Sequence, residues 1–228
     1  IQTSLAMVRE MGAPWIVEFF PWAYYQAEDG SVAWDHPDQV VGHAEANGLR
    51  VIARLGYTPE WARPADTPLT YLDADAYDDF AAFAAAFAAR YRGRVAALIV
   101  GNEPNLSFEW GYRVTTPEDY VELLRAVYPA VKAANPDMLV LAGALAPNLE
   151  PTGSPWATND LDYLRGMYAA GAAGYFDGLA AHAYGLTFPA DAEPGPELLN
   201  FRRVELLRDI MVANGDAATP IYITESGW

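Results

Sequence analysis

The chain has 228 residues, of which 52% are hydrophobic and 13% aromatic, so it carries apolar material for one large core and none of the marks of disorder. Its 30 acidic residues against 14 basic ones leave a net charge of −16, which opposes a polyanionic partner and argues against nucleic-acid binding. Cysteine is absent, which removes disulfides, thiol catalysis and thiolate metal sites, and no apolar run is long enough to span a membrane.

Helical periodicity over Ser4 to Met11 comes first, with no strand before it. Apolar segments then begin near Trp15, Val51, Val95, Met138, Gly178 and Ile221, spaced by roughly 40 residues with helical patterns between them, a repeating βα rhythm. Most of these segments are nearly continuous apolar runs, as expected of parallel strands covered on both faces. Phe80, Phe83, Phe87 and Tyr91 recur at three and four residues and put an aromatic stripe on a helix that starts after Asp75 and stops at Gly93. The neighbouring Asp73, Asp75, Asp78 and Asp79 read as the charged start of that helix, since they lack the glycine turn and terminal Glu of a calcium loop. Thr116 to Asp119 is a capping-box pattern with Pro at the first helical position, and a further helix is expected from Pro196 to Asn214, closing on Gly215.

Six strands and six helices in alternation fit either a doubly wound sheet or a (β/α)8 barrel. The glycine-rich phosphate turn of the former is missing, so the barrel is expected. A complete barrel takes roughly 250 residues or more. Residues 1–228 therefore read as a single partial (β/α)8 catalytic domain holding barrel strands two to seven, with the first and eighth strands expected from the rest of the polypeptide.

Catalytic groups of such a barrel sit at the carboxyl ends of its strands. Two strands end in Glu: Glu103 follows the run Val95 to Val100, and Glu225 closes the run from Ile221. Carboxylates from barrel strands four and seven can face each other across the mouth, as glycoside hydrolysis by double displacement requires. One must keep a proton for the leaving oxygen while the other stays ionised to attack the anomeric carbon. His182 and Tyr184, two apart on one strand, lie beside Glu225, where either could hold its carboxylate ionised. Sugar sites also present flat aromatic faces. The strand-end loops supply Trp22, Tyr24, Tyr25, Tyr57, Trp61, Trp110, Tyr112, Trp156 and Trp228, among which Trp22, Trp61 and Trp110 are the first candidates.

Asn102-Glu103-Pro104-Asn105 after one strand and Thr224-Glu225-Ser226-Gly227-Trp228 after another resemble clan A of the glycoside hydrolases. Phe20-Pro21-Trp22, Tyr57 to Ala62 and His182-Ala183-Tyr184 further resemble glycoside hydrolase family 39 and its relatives, the β-xylosidases and exopolysaccharide hydrolases. The resemblance implies a retaining enzyme for β-linked glycosides, with Glu103 as general acid/base, Glu225 as nucleophile and Asn102 as partner of the sugar 2-hydroxyl. It implies carboxyl groups about 5 to 5.5 Å apart, an oligo- or polysaccharide substrate, and neither cofactor nor metal.

Two positions depart from the family pattern. The expected Arg in the strand from Trp15 is replaced by Glu18, so Arg54 on the next strand either supplies the positive charge near Glu225 or pairs with Glu18. Gly101 stands where related sequences often carry Trp. The missing Arg and the incomplete barrel leave a catalytically inactive glycan-binding barrel as the alternative, whereas Schiff-base chemistry has only Lys132, inside a helix. Glycan substrates make export the expectation, and any signal peptide would lie upstream of Ile1, which falls inside a helical pattern.

Overall fold

The computed structural model describes residues 2–228. After α1 (Gln2–Glu10), strands and helices alternate as β1 (Trp15–Pro21), α2 (Asp35–Ala46), β2 (Arg50–Gly56), α3 (Tyr77–Arg90), β3 (Val95–Val100) and α4 (Pro117–Ala134). The series continues through β4 (Leu139–Leu145), α5 (Asp160–Ala169), β5 (Gly178–Tyr184), α6 (Val204–Ala213) and β6 (Ile221–Gly227). The six strands form one sheet in the order β1-β2-β3-β4-β5-β6, every adjacent pair parallel. Sequential order without reversal distinguishes a barrel from a doubly wound sheet, whose strand order turns back at a switch point. The architecture is a partial (β/α)8 barrel in which β1 and β6 are edges among the described residues.

Side-chain alternation sorts each strand between two environments. One face packs on the helices: Val51, Ala53 and Leu55 of β2, Leu98 and Val100 of β3, and Leu179 and Ala181 of β5 join Phe80, Phe83, Phe87, Leu124 and Val127 in the main core. The other face carries a smaller cluster of Ile52, Ala97, Ile99, Leu141, Ala144 and Ala180, with Trp15, Val17 and Tyr222 against it, which is the barrel interior. The stripe on α3 is buried throughout, each Phe contributing about 1.5–3 kcal/mol relative to exposure.

Two helix starts differ from expectation. Thr116 occupies the cap position of α4 with Pro117 first in the helix, yet its hydroxyl makes no capping bond and is buried without a partner. The helix expected from Pro196 begins only with a 3-10 turn at Phe201–Arg203 that runs into α6. The intervening carbonyls are committed elsewhere: those of Pro196 and Leu198 accept from the Arg203 guanidinium at 2.8 and 3.1 Å.

The barrel mouth is positioned by buried polar side chains. Tyr120 of α4, fully buried, donates to the Val100 carbonyl at 2.8 Å and accepts from Gly143 N–H at 2.7 Å, tying the end of β3 to β4. Asn105 accepts from Ala146 N–H at 2.9 Å and donates to the carbonyls of Ala146 at 2.9 Å and Thr158 at 3.1 Å. The loops after β3 and β4 also share a bridge between Leu106 and Ala157, and Ser107 N–H donates to the Trp156 carbonyl at 2.8 Å.

Candidate active site

Glu103 leaves β3 through Gly101 and Asn102 with φ of +39°, a left-handed conformation unusual for a side-chain-bearing residue and costing of order 1–3 kcal/mol. The clamped loop overcomes that cost and turns its carboxylate toward β5. There Oε1 shares a 2.7 Å hydrogen bond with Nδ1 of His182, whose side chain is fully buried.

Glu225 reaches the same imidazole from β6 by a different device. Ile223 pairs with Ala181 and Glu225 with His182, so Thr224 is an extra residue opposite the β5 ladder. A bulge of this kind re-aims the side chain that follows it. Strict alternation from Tyr222 would send Thr224 to the interior; the bulge delivers Glu225 there instead. Its Oε1 lies 2.7 Å from Nη2 of Arg54 and 3.6 Å from Nε2 of His182, and Oε2 accepts from the Tyr184 hydroxyl at 2.8 Å. One ring thus separates the two carboxylates, with Glu103 against one nitrogen and Glu225 nearer the other.

Burial by itself would raise the pKa of Glu225. The hydrogen bonds from Tyr184 and Arg54, with the electrostatic pull of His182 and Arg54, outweigh it and hold the carboxyl below its ordinary range. The Tyr184 phenol is pushed up to about 12, first by burial and then by donating to Glu225, so it remains a donor.

The two readings left open for Arg54 are resolved by sheet geometry. Arg54 is level with Phe19 of β1 and faces the interior with it, while Glu18, level with Ala53, faces the helices. Glu18 has its pKa raised by burial, partly offset by the charge of His36. Arg54 pairs with Glu225, and the charge missing from β1 enters the site from β2.

The aromatic candidates fall out differently. Trp22 is fully buried, stacked on Phe83 at 6.1 Å and edge-on to Trp61 at 5.4 Å, and offers no face to a ligand, which corrects the expectation for it. Trp61, half-buried, is tied by its indole N–H to the Gln26 carbonyl at 3.2 Å and lines a surface depression with Arg63 and Asp73. Trp110 is 4% exposed and packs on Tyr120, with the part left open lining a cavity beside Phe19, Tyr57, Asn102 and Glu109. Trp22 and Trp110 are buried for one reason: they are the first residue of the 3-10 turn Trp22–Tyr24 and the last of the turn Ser107–Trp110, and these positions face α3 and α4. Phe19 and Tyr57, edge to face at 4.7 Å, line the cleft beside Arg54, Asn102 and Glu109. Trp156, Tyr112 and Phe108 are exposed on the loops after β3 and β4.

Asn102 donates from Nδ2 to Oε1 of Glu109 at 2.9 Å. Glu109 escapes a reading of the sequence because a lone Glu in a loop carries no periodic or motif signal. Its pKa is raised by burial, against the Asn102 hydrogen bond, and by the charge of Glu103.

Neither a protein-family model nor a curated protein sequence matches the chain. Solved structures do. A family 39 glycoside hydrolase from the gut symbiont Bacteroides cellulosilyticus WH2 aligns with all of the chain at a TM-score of 0.73 and 22% identity, over 46% of its own length. A family 39 enzyme from Xanthomonas axonopodis pv. citri aligns with 99% of the chain at 0.70 and 19% identity, over 47% of its length. A glucosidase from Croceicoccus marinus aligns with 96% at 0.64 and 16% identity, over 46% of its length. The chain therefore spans about half the length of each of these structures. In fold, it is a six-strand part of the (β/α)8 barrel that family 39 glycoside hydrolases and related enzymes possess.

Proposed function

We propose that this chain carries the catalytic residues of a retaining glycoside hydrolase acting on β-linked glycosides. The observation that carries the reading is the arrangement around His182: Glu225 held ionised by Arg54 and Tyr184, and Glu103 on the opposite ring nitrogen. Glu103 gives its proton to the departing oxygen as the glycosidic bond breaks and an oxygen of Glu225 bonds to the anomeric carbon. Water then attacks that carbon, its proton passes to Glu103, and the ester to Glu225 breaks, restoring both groups. Every step uses side chains of this chain and substrate atoms. The net charge of −16 favours neutral glycans over polyanionic ones by slowing the approach of the latter.

The decisive measurement is the anomer first released when the whole protein hydrolyses an aryl β-glycoside, followed by proton NMR before mutarotation. The β anomer is expected. Release of the α anomer first would replace retention by inversion, and glycan binding without turnover would select an inactive binding barrel.

Arg54→Met provides a test through pH. Losing the guanidinium removes one of the influences holding the Glu225 pKa down, so the acid limb of the rate profile is expected to move to higher pH. The sign is the same for stability: a depressed carboxyl stabilises the fold above its unfolded pKa and loses that contribution as the pH falls through the folded value. The variant should thus lose less stability on acidification than the wild type does. An unmoved acid limb would remove Glu225 as the ionised group.

A further inference from the structure

We propose that Glu109 is a positioning residue that fixes the amide of Asn102 and so sets how strictly the cleft demands a hydroxyl on the sugar carbon next to the reacting one. The inference rests on the catalytic reading of Glu103 and Glu225, and assigns to the same site a residue outside either Glu motif.

Glu109 sits in the 3-10 turn Ser107–Trp110, whose two ends are buried, and its side chain lines the cleft with Phe19, Arg54, Tyr57 and Asn102. An ionised carboxylate only accepts hydrogen bonds, so Asn102 can face it only through Nδ2, as it does at 2.9 Å. The opposite end of the amide bears the consequence: Asn102 Oδ1 is buried with no hydrogen-bond partner. A buried acceptor without a donor is costly, and such a group in a native fold calls for an explanation. Inverting the amide would carry that oxygen out of its buried position, and the Glu109 carboxylate forbids the inversion. The orientation is therefore imposed against local stability, and it leaves Nδ2, rather than the buried Oδ1, as the end of the amide that a ligand can meet.

A sugar hydroxyl accepts from the second N–H of that amide, and a deoxy position leaves it without a partner.

The test compares the whole protein with its Glu109→Gln variant on a 4-nitrophenyl β-glycoside that the wild type hydrolyses and on its 2-deoxy counterpart. The carboxamide introduced by this replacement can offer an N–H to an inverted Asn102. The wild type is expected to prefer the 2-hydroxy substrate strongly in kcat/KM, and the variant to lose roughly 10- to 100-fold of that preference, with the 2-deoxy rate little changed. In an Asn102→Ala background the same replacement should leave the preference unmoved, since the effect runs through the amide. A general disturbance of the fold would lower both substrates alike, and that result, or an undiminished preference, overturns the proposal. Failure of the catalytic reading has a different signature, hydrolysis of neither substrate by the wild type.

Discussion

Glu225→Ala is expected to lower kcat by roughly 10⁴- to 10⁶-fold, the scale seen when a covalent nucleophile is removed, while glycan binding persists. The size follows from the arrangement around the carboxylate. Arg54 and Tyr184 both spend their contacts on it, so its removal leaves a cationic pocket with no anion to attack the anomeric carbon. Sodium azide separates the two roles. In Glu225→Ala an azide ion can enter the vacated space and attack a β-glycoside directly, giving the α-glycosyl azide. In Glu103→Ala the glycosyl-enzyme still forms from a substrate with a good leaving group, and azide then attacks it without needing a base, giving the β-glycosyl azide. The opposite pair of products would exchange the assignments, and full activity of Glu225→Ala would end the double-displacement mechanism.

The largest loss of stability is expected at Arg203→Met. Arg203 and Asp160 are each about 2% exposed, and the guanidinium meets the carboxylate at 2.8 to 3.1 Å while also serving carbonyls of the loop after β5. Deleting the cation leaves a buried, uncompensated Asp160 at the start of α5, at a cost of about 3–5 kcal/mol. At about 2–4 °C per kcal/mol for a chain of this size, thermal unfolding should show a clear fall in the midpoint. Replacing both partners, as Arg203→Met with Asp160→Leu, should recover much of the loss, because an apolar pair leaves no stranded charge. A single-variant loss below about 1 kcal/mol would mean the pair behaves as a solvated surface bridge.

The βα rhythm, the aromatic stripe of α3 and the strand ends bearing Glu103 and Glu225 are legible in the sequence because each depends on local periodicity or on a short motif. His182 and Tyr184 are legible for the same reason, since two residues on a strand must share a face. What the sequence withholds depends on which way a loop turns. Trp22 and Trp110 look like exposed sugar platforms until the 3-10 turns roll them onto α3 and α4. The Thr224 bulge, which decides that Glu225 rather than its neighbour faces the cleft, is a property of the pairing with β5 and has no signature in β6 alone. Arg54 has two possible partners in one dimension and a single one once Glu18 is seen on the opposite face.

Asn105 gives the tetrapeptide after β3 a division of labour. Its side chain hydrogen-bonds only to backbone of the neighbouring loop, so it serves as carpentry, whereas Glu103, two positions earlier, has the chemical part in the proposed mechanism. Selection on the two would part company in a lineage that gave up hydrolysis and kept the barrel for holding glycans. Drift would erase Glu103, whose strained backbone offers stability to any replacement by glycine, and would leave Asn105 in place as a fossil of the lost enzyme.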